Sequence, residues 1–188
     1  MPNTIQNNMY GNEIYMSKRI ILVFFSFVLI LGTSQSQQVK PITTDIALEV
    51  ITESLKLSQE PQELILKISC QSAHEIQTLG LKFDSVQTKW SVVSATFNDQ
   101  PLWLIKSGMR VNQDNILAWE FFAEDSKLSL FTPPWQVPYV IQLKLQLNLE
   151  NVDENLKDYV DNLILEAIIA GESFQCGTIG RGNRILFE

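Results

Sequence analysis

The feature that most constrains the fold is a strict alternation of apolar and polar residues between positions 139 and 149. Every second residue is apolar, and the residues between them are mostly polar. Side chains of a β-strand point alternately to opposite faces, so this pattern predicts a strand with one face in a core and the other in water. The apolar positions are Tyr139, Ile141, Leu143, Leu145, Leu147 and Leu149, and the polar positions are Gln142, Lys144, Gln146 and Asn148.

Shorter runs with the same period fill most of the remaining chain. Segments rich in Gly, Pro, Asn and Asp separate these runs, as turns do. About nine short strands without alternating helices predict an all-β fold, an antiparallel jelly-roll or immunoglobulin-like β-sandwich. The one helical candidate, Val152 to Asp161, would be a short connection. The runs lie at 46–50, 55–57, 64–70, 79–83, 90–92, 95–97, 117–121, 128–130, 163–169, 174–176 and 184–188.

The first 36 residues are predicted to lie outside this domain. From Met16, a basic pair precedes an apolar run at 20–31 and a stretch of small and polar residues, which is the pattern of a secretory signal peptide. Small residues suit cleavage near Ser36, so the predicted mature chain is 37–188, a single secreted β-sandwich domain. The residues before Met16 form an N-terminal extension and carry no fold argument.

A membrane anchor is the alternative interpretation of the apolar run. As a helix the run would reach only about 18 Å, whereas the hydrocarbon core of a bilayer is about 30 Å thick. We therefore expect a secreted or periplasmic protein with no stable membrane span.

The net charge of the chain limits the classes of partner that it is expected to bind. The formal net charge is −7 at pH 7, and the clustered Lys and Arg that neutralise phosphate are absent from the sequence. A nucleic-acid partner is therefore not expected, nor is binding to an anionic membrane surface. The expected partner is another extracellular protein or a polysaccharide.

Two cysteines, Cys70 and Cys176, continue the apolar alternation of their segments, so both are expected to point inward from strands. In an oxidising compartment such a pair can form a disulfide, which we predict here. The alternative is two buried thiols, because unpaired cysteine behaves as a small hydrophobe.

No motif for catalysis or cofactor binding emerges. His74 is the only histidine, and its segment alternates like a strand leading into a turn, so a catalytic pair with Cys70 is not favoured. Zinc sites need several Cys or His ligands. The glycine-rich stretch 177–182 has no room for the helix that a phosphate loop requires, so a hairpin turn is predicted. The chain is not expected to be an enzyme or to hold a cofactor.

One segment partly resembles a calcium loop. Asn151, Asp153 and Asn155 occupy the positions of the first ligands. However, Leu156 stands where a glycine is needed, and Asn162 stands where a bidentate glutamate is needed. No metal site is predicted.

Four tryptophans raise the question of sugar binding, because flat aromatic rings stack on sugar faces. Trp90 and Trp119 share the phase of aliphatic neighbours and should be core. Trp103 and Trp135 are the candidate ligand contacts, since their surroundings suggest partial exposure. Trp135 lies in FTPPWQVPY at 131–139, where the prolines end one strand and begin the next. For Trp135 a lid over the end of the sandwich is the favoured role, and ligand stacking is the alternative.

The order of these patterns resembles cohesin-like domains, which are nine-stranded jelly-roll sandwiches related to some carbohydrate-binding modules. The resemblance covers roughly Thr44 to Leu149, and the cysteine pair departs from the family pattern. It implies a non-enzymatic module that binds another protein through an exposed sheet face, with no dockerin-contact residue assignable. The matching segments are Leu81-x-Phe83-Asp84, Trp90-Ser91-Val92-Val93-Ser94, Ile116-Leu117-Ala118-Trp119 and Ile141-x-Leu143-x-Leu145.

Three functions therefore stay open on sequence grounds. The first is cohesin-type protein recognition, for which the polar positions between 142 and 148 are a possible contact surface or simply the hydrated side of a sheet. The second is carbohydrate binding through Trp103 and Trp135. The third is a hydrolase that uses acidic residues which no local pattern marks.

Overall fold

The computed structural model describes residues 41–56, 58–71, 74–84, 87–106, 113–149, 160–179 and 184–187. They belong to one compact unit, Lys40–Glu188. The extension, the signal peptide and its cleavage site lie outside the described residues and stay predictions.

Thirteen strands and one short 3₁₀ helix, Ala123–Asp125, occur among the described residues. The sequence predicted about nine strands, and four of the thirteen are short segments of two to four residues. The strands are β1 (Ile42–Val50), β2 (Ser54–Leu55), β3 (Gln62–Cys70), β4 (Ile76–Phe83), β5 (Thr88–Phe97), β6 (Gln100–Pro101), β7 (Trp103–Lys106), β8 (Ile116–Phe122), β9 (Lys127–Phe131), β10 (Tyr139–Leu149), β11 (Val160–Ile169), β12 (Glu172–Thr178) and β13 (Arg184–Phe187).

The strands form a β-sandwich, as predicted. The hydrogen-bonded order is β6-β5-β10-β3-β1-β12-β11-β4-β9-β8-β7. We call β6 to β1 the first sheet and β12 to β7 the second sheet; β1 joins them by pairing antiparallel with β3 and parallel with β12. Most neighbouring strands pair antiparallel, as predicted, and β7 pairs parallel with β8 and β13 parallel with β2.

The alternation of β10 sets the core. The six apolar residues of the alternating set are all buried, while Gln142 and Gln146 are exposed. β10 pairs antiparallel with β3 and with β5, and a register shift at Lys144/Leu145 keeps the inward sets of β5 and β10 aligned. The predicted inward residues of β3, β4, β9 and β11 are buried too. Burial of this apolar surface is the main term that stabilises the sandwich.

The end of the sandwich near β13 is closed by aromatic residues. The Phe83 ring stacks on Trp90 at 5.2 Å and contacts Phe187 at 5.7 Å. The Trp90 indole N–H donates to the Ser126 carbonyl at 3.2 Å. We call this end of the sandwich the far end, because the loop 132–138 lies at the opposite end.

Two expectations concern residues that are only partly described. The helical candidate lies outside the described residues except for its last two positions, Val160 and Asp161, which begin β11. None of the described residues belongs to a helix of the length and apolarity that crossing a membrane requires.

Candidate functional site at the end of the sandwich

The proline-rich segment 131–139 connects β9 to β10 and covers one end of the sandwich. Proline lacks a backbone N–H, so a segment with prolines at 133, 134 and 138 cannot continue a ladder. The buried Thr132 hydroxyl donates to the Ile76 carbonyl at 2.9 Å, and the Trp135 N–H donates to the Pro133 carbonyl at 2.8 Å. The Val137–Pro138 peptide bond is cis. The hydrogen bond from Thr132 holds the loop against β4 of the second sheet, and the bond from Trp135 to Pro133 is internal to the loop.

Trp135 is a packed lid residue. Its ring lies 4.6 Å from Phe97 and 5.5 Å from Tyr139, and its indole N–H donates to the Asp114 carbonyl at 2.7 Å. The residue is only 9% exposed. The expectation that Trp135 is partly exposed is therefore wrong, because rings from β5 and β10 and the turn at Asp114 enclose it.

A cavity of about 600 Å³ lies beside this lid. It combines apolar surface from the aromatic and proline residues with polar groups of Asn98, Asp114 and Gln136. Neither the Asp114 carboxylate nor the Gln136 amide has a hydrogen-bond partner within the described ranges. The full lining is Phe97, Asn98, Asp114, Pro134, Trp135, Gln136, Val137 and Pro138.

Asn98 is fixed at the cavity by a tight turn. Asn98 and Asp99 both have positive φ, 46° and 65°, as in the two-residue turns that match the twist of a hairpin. Asn98 Oδ1 accepts from the Val140 N–H at 2.9 Å, and the Asn98 N–H donates to the Val140 carbonyl at 2.9 Å. With Oδ1 engaged in this way, the Asn98 side-chain NH₂ has no hydrogen-bond partner among the described residues.

Trp103 lies near this end of the sandwich but does not line the cavity. It is 72% exposed at the start of β7. Its backbone N–H donates to the Asn115 carbonyl at 2.7 Å, while Trp135 binds the carbonyl of the preceding residue, Asp114. The turn at Asp114 and Asn115 thus positions both candidate tryptophans. The Trp135 side chain lines the cavity, whereas the Trp103 side chain is exposed outside it.

The two cysteines are thiols, and the predicted disulfide is not present in the structure. Cys70 ends β3 and Cys176 lies in β12, with β1 between the two strands. Two strand spacings amount to about 10 Å, whereas disulfide-bonded Cα atoms lie within about 7 Å of each other. The inward orientation predicted for both residues is confirmed by their burial.

These thiols are poorly suited to chemistry. Burial raises the pKa of Cys176 to about 12, with further contributions from Cys70 and Glu166. Burial also raises the pKa of the Tyr139 phenol, to which Cys70 adds through charge and a side-chain hydrogen bond. Because the thiolate is the nucleophile and the metal ligand, Cys176 is unreactive at neutral pH.

The outer face of the first sheet is mostly polar, and two of its lysines are ion-paired. Lys144 Nζ lies 2.7 Å from Glu63 Oε1, and Lys67 Nζ lies 3.3 Å from Glu49 Oε2. These ion pairs satisfy the charges within the sheet. This face therefore has the character of a hydrated sheet surface, the alternative that the sequence left open for positions 142–148.

Other predicted features contribute no site within the described ranges. His, Cys, Asp and Glu residues form no cluster there that would hold a metal ion. The calcium-like positions 151–156 and part of the glycine-rich stretch 177–182 lie outside these ranges. The sequence analysis did not identify Asn98, Asp114 and Gln136 as site residues. They lie in turn or loop segments without a local pattern, and only the folded chain brings them close together.

Comparisons with known proteins support the fold. No protein-family model matches the chain, and no curated protein matches it. Among solved structures, the N-terminal domain of the Streptococcus gordonii adhesin Sgo0707 is similar, with a TM-score of 0.50, 12% identity, and coverage of 79% of this chain and 33% of that chain. The major pilin SpaD from Corynebacterium diphtheriae gives a TM-score of 0.47 and 10% identity, with coverage of 75% and 34%.

A cohesin also occurs among the similar structures. A type II cohesin–X-dockerin complex from Acetivibrio cellulolyticus gives a TM-score of 0.41 and 8% identity, covering 78% of this chain and 100% of that chain. This chain spans only about a third of the adhesin and pilin chains. Similarity at these identities shows a β-sandwich fold alone and does not make the chain a cohesin.

Proposed function

We propose that this chain is an exported, non-enzymatic binding domain and that its ligand is a carbohydrate held in the cavity beside the loop 132–138. One observation carries the proposal. The cavity brings the polar residues Asp114, Asn98 and Gln136 together with the aromatic and proline residues of the sandwich end. The signal-peptide pattern and the fold similarity to a streptococcal adhesin domain support export.

The size and chemistry of the cavity suit a sugar. Ligand sites commonly enclose about 300–1,000 Å³ and place a few polar groups on an otherwise apolar lining. Sugar hydroxyls can donate to the Asp114 carboxylate and accept from the Asn98 and Gln136 amides, while sugar C–H groups pack on aromatic surface. Trp103 lies outside the cavity, so it would contact at most a more distant part of a long chain.

The charge narrows the class of carbohydrate. Asp114 lines the cavity, and the chain carries a net charge of −7. Like charges repel across an interface. We therefore propose neutral or amine-bearing glycans and not polysaccharides that contain uronic acids.

Cohesin-type protein recognition stays a prediction from the sequence resemblance. It would use the outer face of the first sheet, where Lys144 and Lys67 are already ion-paired. Affinity purification from the secretome of the source organism tests it. Specific capture of a protein that is lost when Gln142 and Gln146 are both changed to Ala would favour it over the carbohydrate proposal.

The carbohydrate proposal is tested by affinity electrophoresis through gels that contain soluble polysaccharides: neutral glucans and xylan, amine-bearing chitosan, and acidic alginate. Retention is expected on a neutral or amine-bearing polymer and not on alginate. Asp114→Asn and Gln136→Ala are expected to weaken retention. The Trp135 hydrogen bond uses the Asp114 backbone carbonyl, so these changes spare the lid.

Asp125→Asn is the matched control, because Asp125 is an exposed carboxylate in the 3₁₀ helix, away from this cavity. Absence of retention on every polymer, or equal retention by Asp114→Asn and the parent chain, would overturn the proposal. Depolymerisation of any polymer by the purified chain would contradict its non-enzymatic part.

A further inference from the structure

The outer face of the second sheet is unusually apolar. An antiparallel sheet that faces water normally carries polar residues on that side. Here seven large apolar side chains project outward from four strands of this sheet, β11, β9, β8 and β7, while the outward positions of β4 between them are Thr78, Gly80 and Lys82. None of the large ones belongs to the buried core cluster. We call this surface the apolar face; its large apolar residues are Trp103, Ile105, Ile116, Phe122, Phe131, Ile164 and Ile168.

Several of these side chains are well exposed. Trp103 is 72% exposed, Phe122 43% and Ile105 39%. Soluble monomers rarely present contiguous apolar surface of this kind, and larger patches mark interaction sites. On the first sheet, by contrast, ion pairs cross the outer face at Glu63 and Glu49.

The registers place one row of residues straight across the apolar face. Ile168 pairs with Thr78, Thr78 with Phe131, Phe131 with Ala118, and Ala118 with Ile105. The row therefore has an aromatic residue at its centre, a short side chain on each side of it and an isoleucine at each end. Its size pattern is the same in either direction.

The charges on the face are balanced. Lys127 lies over Gly80, whose missing side chain leaves the space, and it reaches Glu166 at 3.0 Å. The other outward charges on these five strands are Lys82 and Glu120, so the face is formally neutral. The whole chain carries −7, and two copies therefore meet with least repulsion here.

We propose that the apolar face binds a second copy of this chain about a two-fold axis through Phe131. In an isologous contact the same patch meets itself, so the two ends of the row face each other across the axis. The axis sets Ile168 of one copy against Ile105 of the other. The short side chains of Thr78 and Ala118 leave room for the two Phe131 rings to pack in offset contact.

The area of the face suits a weak dimer. Five strands about 4.8 Å apart, with about 3.3 Å per residue, give a face of roughly 24 Å by 22 Å. Two such faces bury about 1,000 Å² in total, which is near the lower limit for a specific interface. We therefore expect association that depends on concentration in the micromolar range or above. This interface is separate from the carbohydrate cavity and does not rest on it.

Analytical ultracentrifugation of residues 37–188, which contain the whole compact unit, tests the proposal. A monomer–dimer equilibrium is expected. Ile105→Lys is expected to raise the dimer dissociation constant at least about tenfold, because the change enters the contact twice. Ile168→Lys is expected to act in the same direction from the opposite end of the row.

Val93→Lys is the matched control. Val93 is 49% exposed on the first sheet, and its replacement adds the same charge with a similar change of shape. Urea midpoints for each variant show whether it is folded. A parent chain that stays monomeric at all concentrations up to the solubility limit would overturn the proposal. So would a dimer that is weakened by Val93→Lys as much as by the two apolar-face variants.

Discussion

Replacement of Trp135 by Ala is expected to cost about 3–5 kcal/mol of unfolding free energy. The residue is 9% exposed, and its ring packs on Phe97 and Tyr139. A buried tryptophan removes up to about 250 Å² from water, which at about 25 cal/mol per Å² gives an upper limit near 6 kcal/mol. The lost bond to Asp114 accounts for about 1 kcal/mol of the change.

Two matched variants separate the contributions. Trp135→Phe keeps an aromatic ring but loses the hydrogen bond to Asp114, and it is expected to cost about 1–2 kcal/mol. Trp103→Ala removes a ring that is 72% exposed and is expected to change stability by less than about 0.5 kcal/mol. Urea denaturation followed by far-UV circular dichroism measures all three. If Trp135→Ala and Trp103→Ala cost the same, Trp135 is not a packed lid.

Three further predictions follow from the core. Cys70 and Cys176 are expected to resist alkylation in the folded chain and to yield two reactive thiols in denaturant without reductant; no reactive thiol in denaturant would show that the disulfide forms after all. Burial raises the pKa of Cys176 from 9.0 to about 12, so its stabilising contribution is complete below pH 9 and is lost as pH rises towards 12. Unfolding free energy should fall over that range by up to about 1.4 kcal/mol per pH unit, and less steeply in Cys176→Ala; equal slopes would refute the assignment. Leu143→Ala in β10, where Leu143 is 0% exposed, is expected to cost about 2–5 kcal/mol, while Gln142→Ala changes stability by less than about 0.5 kcal/mol; similar losses at both positions would contradict the assigned faces.

The fold was predictable because its information is local. A period of two specifies which side chains of a strand face the core, and burial of Leu143, Leu145 and Leu147 follows the printed sequence directly. The strand order contains information that the sequence pattern lacks. Because the sequence pattern does not say which strands are neighbours, it led to a disulfide prediction that the structure does not bear out. Both cysteines point inward, but β1 lies between their strands.

The site was only partly predictable. The loop 131–139 stands out by composition, but its Trp135 is enclosed by Phe97, which precedes it by 38 positions, and by the turn at Asp114. Polar residues in turns have many possible neighbours. The proximity of Asp114 and Gln136 could therefore not be predicted from a sequence pattern. The apolar face did leave a sequence signature: in LILEAII at 163–169, apolar residues occupy both parities, which indicates a strand with two apolar faces.

The most direct test of the account is an NMR titration of the four tryptophan indole N–H signals with a neutral or amine-bearing oligosaccharide taken from the retained polymer. Trp135 lines the cavity and bonds to Asp114, whereas Trp90 bonds to Ser126 at the far end. The Trp135 signal is expected to shift on ligand addition, while the Trp90 signal stays unchanged. Saturable binding that shifts Trp90, or that leaves Trp135 unmoved, would contradict it.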